Sequence, residues 1–345
     1  MVKTGRAQPY DGNTSKANSR QCATSKGDLT TAAIDNLTGE RASSEGLADN
    51  PNLAPVLRAT SLEHIVDAWA AEKDQGEDEG RQEASRRIGA WVDAADLNAS
   101  LNLSCLRLRT LPAGLPAGLQ RLNADCNQLT TLPAELPVEL QALNARYNQL
   151  TSLPDTLPAG LQILEVSYNR LSSLPHDLST TLRWLGVSEN HLTSLPDNLP
   201  AGLQTLNADG NQLTGLPASL PAQLKTLNAD GNRLTSLPDN LPPGLQTLNA
   251  SGNQLTGLPH KLPAGLQTLG AADNQLTGLP NNLSAGLRRL NARCNLLISL
   301  PDKLLAQLGS GCLVFLESNP LPKRVRRKLA VALNAEDYGG PMVFL

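Results

Sequence analysis

The chain repeats one pattern of hydrophobic and polar positions every 21 residues. Leucine recurs at this interval from Leu122 to Leu290, and the position two residues after it is always alanine or valine. Polar residues such as Asn123 and Asp125 lie on either side of that small residue. Alternation of apolar and polar positions is typical of a strand with one buried face. We therefore predict one short β-strand in every repeat.

A second part of each repeat is rich in proline. A Leu-Pro pair keeps the 21-residue interval from Pro133 to Pro301, and in most repeats a second Leu-Pro pair follows it. Closely spaced prolines exclude a helix, because proline lacks an amide hydrogen and its ring clashes with the preceding turn. We expect this segment to be extended or in polyproline II form, on the side of the coil opposite the strand.

An asparagine occupies one fixed position in nine successive repeats. It lies among leucines, and a buried amide needs hydrogen-bond partners for both its oxygen and its nitrogen. We therefore expect a structural ladder in which each amide bonds to backbone groups of neighbouring repeats. Its residues are Asn127, Asn148, Asn169, Asn190, Asn211, Asn232, Asn253, Asn274 and Asn295.

These features predict an α/β repeat solenoid, a horseshoe with parallel strands on its concave face and extended or polyproline segments on its convex side. One coil buries too few leucines to offset the entropy of ordering it, so stacking and end caps must stabilise the array. Helical spacing of Val66 and Trp69, and then of Ile88 and Trp91, predicts an α-helical N-terminal cap. The expected organisation is a disordered N-terminal region (1–60), the helical cap (61–98), the repeats (99–312) and a C-terminal cap (313–345).

The charge of the chain limits the classes of partner that it is expected to bind. It carries 29 Lys and Arg against 32 Asp and Glu, and residues 101–300 carry 12 of each sign. A neutral array has no broad attraction for nucleic acid or for an anionic membrane. No apolar run reaches the ~18 residues of a membrane span, and the polar N-terminus lacks the apolar segment of a secretory signal peptide. We expect neither nucleic-acid binding nor a membrane span.

The repeat and its flanks resemble the leucine-rich repeat region of bacterial type III secreted effectors of the LPX class. The motifs that carry the resemblance, over about 61–345, are the Leu-Pro-x-x-Leu-Pro repeat, Trp69, Arg81, Ala84 and Ile88 before the array, and Leu316-Glu-Ser-Asn-Pro-Leu321 after it. Longer members of that class are E3 ubiquitin ligases of the NEL, or IpaH-like, type. The resemblance implies that residues 1–60 carry a secretion and translocation signal and that the array binds a host protein.

The ligases of this class carry a catalytic cysteine in a Cys-x-Asp context, within a separate C-terminal helical domain. The sequence ends where that domain would begin, and none of its five cysteines is followed by aspartate two residues later. We therefore expect no catalytic residue in this chain, and whether it acts as an enzyme stays uncertain. It is either a recognition module without an enzyme or the recognition part of a ligase.

The concave face is formed by the strand residues that lie between the buried ones. These are residues 121, 123, 125 and 126 and their equivalents every 21 residues, which form four columns. Aromatic and charged residues gather in the earlier coils, and such side chains are enriched in interface hot spots. The alternative is that Tyr147 and Tyr168 only pack against each other across adjacent coils. The predicted partner-binding residues are Arg146, Tyr147, Glu165, Tyr168, Trp184, Glu189, His191, Arg289 and Arg293.

Other candidate sites have simpler interpretations. Arg289 and Arg293, with Arg288, form a second candidate that is equally explained as a solvated basic patch. The basic run 323–328 resembles a nuclear localisation signal, but half of it must be a solvated helix face. The four histidines fall in different columns, and no nucleotide-binding or hydrolase motif occurs. We expect no cofactor and no metal site.

The sequence therefore predicts a protein-interaction module of a secreted bacterial virulence effector, which binds a host protein on its concave face. The alternative is the substrate-recognition part of a cysteine-type ligase, which would add the ubiquitin machinery as a partner. A scaffold that oligomerises through its strand edges is a third possibility, and the oligomeric state is left open. The expected location after secretion is the host cytoplasm, with the nucleus as an alternative.

Overall fold

The computed structural model describes residues 54–72 and 78–345 of the chain. Within these ranges, twelve short strands form one parallel sheet whose order follows the chain from β1 to β12. The register joins equivalent residues of successive repeats, for example Leu206 with Leu227, so each coil adds one strand. The strands are β1 Leu101–Asn102, β2 Arg121–Asn123, β3 Ala142–Asn144, β4 Ile163–Glu165, β5 Trp184–Gly186, β6 Thr205–Asn207, β7 Thr226–Asn228, β8 Thr247–Asn249, β9 Thr268–Gly270, β10 Arg289–Asn291, β11 Leu313–Phe315 and β12 Met342–Phe344.

Two helices precede the sheet, α1 at Ala54–Ala70 and α2 at Arg81–Ala94. Their helically spaced apolar side chains, among them Val66 and Ile88, are buried in the same core as the repeats. Helix α1 begins at Ala54, whereas the helical cap is expected from residue 61. The disorder expected for the rest of the N-terminal region falls outside the described residues.

Arg81 joins the two helices to the first coil. Only 3% of it is exposed, and its guanidinium stacks 4.8 Å from the centre of the Trp69 ring. Its Nη1 donates to the Trp69 carbonyl at 2.6 Å and to Glu72 at 2.7 Å, and its Nη2 donates to Thr110 Oγ1 at 2.8 Å. Its Nε donates to Glu79 at 2.9 Å. A buried guanidinium needs such partners, because an unpaired buried charge is costly.

The leucines that set the repeat fill the interior of the coils. Leu143, Leu164, Leu185 and Leu206 are fully buried, as is the alanine or valine two residues after each of them. Each fully buried leucine contributes about 1.5–3 kcal/mol relative to an exposed one. The core is therefore one continuous column that runs from the helices into the last coil, and no coil has a core of its own.

The side of the coils opposite the sheet is extended or turning, as the prolines predict. This stretch is fully described, and no helix lies in it before α3 at Leu304–Gln307. The second Leu-Pro pair ends in a turn that leads into the next strand: the Leu203 amide donates to the Pro200 carbonyl at 3.0 Å, and Leu224 bonds to Pro221 in the same way.

The C-terminal end closes the array with a strand, a helix and another strand. Strand β11 pairs with β12, and helix α4, Lys323–Leu333, lies between them in sequence. Arg326 donates to the carbonyls of Leu321 and Asn319, both at 3.1 Å. Part of the basic run 323–328 therefore stabilises the last turn. The helices in the described part of the chain are too short or too polar to traverse a lipid bilayer.

Candidate functional site

The asparagine column forms hydrogen bonds between coils. In a representative coil, Asn211 Oδ1 accepts from the Leu192 amide at 3.0 Å. Its Nδ2 donates to the Val187 carbonyl of the preceding coil at 3.0 Å and to the Ala208 carbonyl of its own coil at 3.2 Å. Each amide thus bonds to backbone groups of two coils. The column is a structural device, and it leaves no polar group of the asparagine for a partner.

Asn319 extends the ladder by one rung that the repeat interval does not indicate. Its Oδ1 accepts from the Leu297 amide at 3.0 Å, and its Nδ2 donates to the Ala292 carbonyl at 2.8 Å. It follows Asn295 by 24 residues instead of 21, because the last coil contains helix α3. In the sequence, this additional ladder asparagine is indicated by the Asn-Pro-Leu segment that follows β11.

Three coils in the middle of the array, those of β6, β7 and β8, are nearly identical, and we call them the uniform coils. Their strands all read Thr-Leu-Asn. Asn228 Nδ2 donates to Asn207 Oδ1 at 2.8 Å, and Asn249 Nδ2 donates to Asn228 Oδ1 at 2.9 Å. The concave side chains of these coils therefore bond mainly to each other.

The coils of β3, β4 and β5 differ, and we call them the variant coils. One of the four concave columns, the residue just before each ladder asparagine, has a left-handed backbone in both groups. The uniform coils place Gly210, Gly231 and Gly252 there, with φ of 61°, 61° and 63°. The variant coils place Tyr147, Tyr168 and Glu189 there, with φ of 52°, 59° and 52°. A bulky residue in this region is strained, whereas glycine is not.

The two tyrosines stack across adjacent coils. Their ring centres are 4.4 Å apart with an interplanar angle of 17°, and the Arg146 guanidinium lies 5.2 Å from the Tyr147 ring. The stacking foreseen as an alternative therefore exists. Tyr147 and Tyr168 nevertheless stay 41% and 42% exposed, so the stack presents an apolar surface to a partner as well.

Glu165 differs from the expected arrangement, because it does not lie on the open face. It is only 2% exposed. Its Oε2 accepts from Trp184 Nε1 at 3.0 Å, and its Oε1 accepts from Ser167 Oγ at 2.5 Å. Its carboxylate lies over Gly186, where a Cβ atom would overlap it. Glu165 therefore orients Trp184 and is not itself available for direct contact.

Near Glu165 lies a half-buried acid, Asp125, that the sequence did not single out. Asp125 Oδ1 accepts from the Arg146 amide at 2.7 Å, and Oδ2 accepts from Asn144 Nδ2 at 2.8 Å. Burial raises the pKa of the Asp125 carboxyl to about 7, and the nearby Glu165 charge adds to this, although the bonds from Arg146 and Asn144 oppose it. The Arg146 guanidinium lies 3.9 Å from Glu165. Arg146 therefore contacts Asp125 through its amide and lies near Glu165 and the Tyr147 ring through its guanidinium.

The remaining predicted residues are not all brought together. Glu189 is exposed and lies over Gly210. His191 is exposed but follows the ladder asparagine, outside the four concave columns. Arg289 and Arg293 are exposed in the coil of β10, where Arg289 stacks 4.8 Å from the Phe315 ring, and four strands separate them from β5. We define the aromatic cluster as Arg146, Tyr147, Tyr168, Trp184 and Glu189.

Comparison with known proteins identifies the repeat. Residues 244–266 match the family model described as Leucine Rich Repeat. No curated protein sequence matches the chain.

Three solved structures illustrate the similarity. YopM from Yersinia enterocolitica WA-314 is 32% identical over 76% of this chain and 69% of that chain, with a TM-score of 0.41. A Shigella effector leucine-rich repeat domain is 27% identical over 83% and 96%, with a TM-score of 0.37. The leucine-rich repeat domain of APL1B is 20% identical over 86% and 94%, with a TM-score of 0.59. The last of these shows that the fold is that of a leucine-rich repeat domain.

Proposed function

The chain is a leucine-rich repeat protein, and from that premise we propose that it is a protein-interaction module whose binding site is the aromatic cluster. The observation that carries the proposal is the exposed stack of Tyr147 and Tyr168, two bulky side chains at a backbone position that is left-handed throughout the array. The uniform coils hold glycine at the equivalent position, so glycine fits this fold without strain. Strained residues persist where they serve a site, because the rest of the structure imposes their conformation.

The composition of the cluster supports the same function. Tyrosine, tryptophan and arginine are the residues most enriched in interface hot spots. Aromatic residues make up 3% of the chain, yet two tyrosines and a tryptophan lie here in three adjacent coils. Trp184 is oriented by its bond to Glu165, which lowers the entropic cost of immobilising it on binding.

We propose further that the partner is a protein of a host cell and that the chain is a secreted effector of the host-directed kind. The sequence resemblance of the segments that flank the array supports this proposal. Arg81, one of the residues that carry the resemblance, is the buried link between the helices and the first coil. The host cytoplasm is the proposed location.

Capture from cell lysates tests the proposed site. The full chain is immobilised, and plant and animal lysates are passed over it, with Tyr168→Ala/Trp184→Ala as the test variant. The matched control is Thr226→Ala/Thr247→Ala, which removes two concave side chains from the uniform coils. We expect the test variant to lose at least about tenfold in capture of the same protein and the control to retain it.

The unfolding curve must be measured with the same variants. We expect the midpoint for the test variant to stay near that of the wild type, because its side chains are partly exposed. Equal capture by the test variant and the wild type would refute the site. A loss of stability as large as that of a buried leucine would also refute it, because the side chains would then be structural.

A further inference from the structure

The concave face carries acidic charge that the neutral total of the array conceals. From β4 to β9, the four concave columns contain five acidic residues and no lysine or arginine. The basic residues of the same coils lie in other columns, nearest at Arg183 and Lys225, one residue before their strands. The acidic residues in these columns are Glu165, which is buried, and Glu189, Asp209, Asp230 and Asp273.

These acids are poorly neutralised by the rest of the molecule. Among the described residues, only Glu165 has a cation within ion-pair distance, Arg146 at 3.9 Å. Burial raises the pKa of the Asp209 carboxyl to about 6, and repulsion from Asp230 and Glu189 adds to this. Burial also raises the pKa of Asp230. The two aspartates therefore gain from any positive charge that a partner brings to the face.

A structural role does not explain the charge of these aspartates. Asp209 Oδ1 accepts from the Asp230 amide at 3.1 Å, and Asp230 Oδ1 accepts from the Ser251 amide at 2.5 Å. In the variant coils a neutral side chain accepts the equivalent backbone hydrogen bond: Ser167 Oγ accepts from the Ser188 amide at 3.1 Å. The backbone bond needs an acceptor oxygen, and the negative charge is additional to that need.

The aromatic cluster adds a second feature suited to cations. Tyr168 lies in the coil of β4 and Trp184 in the coil of β5, next to the coils that carry Asp209 and Asp230. Glu189 occupies the same column as Tyr168, one coil later. Lysine and arginine bind to the faces of tyrosine and tryptophan by cation–π attraction, which strengthens when water is excluded. Arg146 already lies over Tyr147 in this way. Aromatic faces and carboxylates thus occur in successive coils from β4 to β7.

We propose that the partner segment bound by the concave face is rich in lysine or arginine and extends from the aromatic cluster across the acids of β5–β7. This inference rests on the proposed function, because it names the chemistry of the partner at the same surface. Complementary charge raises the association rate and excludes acidic competitors, so the face selects among partners.

A synthetic peptide tests this chemistry. The probe is a short peptide with lysine at every third position and alanine elsewhere, and the comparison peptide has glutamine in place of lysine. Binding to the full chain is followed by tryptophan emission, since Trp184 is on the face and Trp69 and Trp91 are buried in the cap. The test variant is Asp209→Asn/Asp230→Asn, which keeps the acceptor oxygens.

The matched control is Asp197→Asn/Asp239→Asn, which removes two exposed charges from the convex side of the same part of the array. We expect the lysine peptide to bind at least about tenfold more weakly to the test variant and less than about twofold more weakly to the control. Equal weakening in both variants, equal binding of the glutamine peptide, or no binding of the lysine peptide would overturn the inference.

The same aspartate variant in the lysate capture separates this inference from the proposed function. If Tyr168→Ala/Trp184→Ala loses capture while Asp209→Asn/Asp230→Asn retains it, the site stands and the basic partner is wrong. If the aromatic variant retains capture, the proposed function itself fails. Loss of capture in both variants supports both.

Discussion

The uniform and variant coils share their leucines, their asparagine ladder and their strand pairing, yet they differ on one face. In the uniform coils, glycine occupies the left-handed position and asparagine amides bond along the column. In the variant coils, Tyr147, Tyr168 and Glu189 occupy that position, and in the β4 coil the buried Glu165 replaces an asparagine. The comparison teaches that stability comes from the shared positions, whereas the proposed binding residues lie in the four concave columns, where the two groups differ.

The asparagine ladder should contribute equally to stability in both groups of coils. Removing one of its asparagines should lower the free energy of unfolding more than the other substitutions below. Asn169→Leu in a variant coil and Asn211→Leu in a uniform coil each leave backbone groups of two coils without partners. We expect each to lower the free energy of unfolding by about 1–3 kcal/mol. Denaturant unfolding of the two variants measures this. A change of a few tenths of a kcal/mol in either would mean that the ladder is not needed there.

The stability of the protein should depend on glycine at position 186, because the Glu165 carboxylate occupies the space beside it. In Gly186→Ala the new Cβ overlaps the Glu165 carboxylate and displaces it from Trp184 and Ser167. We expect a loss of about 1–2 kcal/mol in unfolding free energy, measured by denaturant titration.

The control for this variant lies in a uniform coil. Gly215 has open space around its Cα, so Gly215→Ala should change stability by less than about 0.5 kcal/mol. The double variant Glu165→Asn/Gly186→Asn restores the uniform pattern and should recover most of the loss. If Gly186→Ala is as harmless as Gly215→Ala, the buried position of Glu165 is wrong.

The pH dependence of stability should include a contribution from Asp125, which lies in the coil of β2 beside the variant coils. Its pKa is raised from 3.8 to about 7 in the folded protein, so between these values the folded state binds more protons than the unfolded state. Unfolding free energy from this group therefore rises as pH falls through 7 and stops rising below about 4. We expect wild type to gain on the order of 1 kcal/mol over Asp125→Asn between pH 8 and pH 5, measured as unfolding midpoints. An equal pH response in both proteins would contradict this.

The periodicity of the sequence was sufficient to predict the strands and the extended opposite side, because each is set by residues within one repeat, and the helical spacing of apolar residues before the array was sufficient to predict the N-terminal cap. The position of Glu165 was not predictable, because it depends on the absence of a side chain at Gly186, one coil away. Tyrosine does not indicate a left-handed backbone, so this conformation could not be predicted from Tyr147 or Tyr168. It is indicated only by the glycines at the equivalent positions of the uniform coils. The segregation of acids onto one face was hidden by the neutral total of the array.

The central claim, that the variant coils carry binding chemistry which the fold does not need, is tested most directly by restoring the uniform pattern. The substitutions are Tyr147→Gly, Tyr168→Gly, Trp184→Thr and Glu189→Gly in one variant, followed by thermal unfolding and lysate capture side by side. The account predicts an unfolding midpoint within about 4 °C of wild type or above it, together with loss of the captured partner. Retained capture, or a midpoint lowered as far as by the loss of a buried leucine, would contradict it.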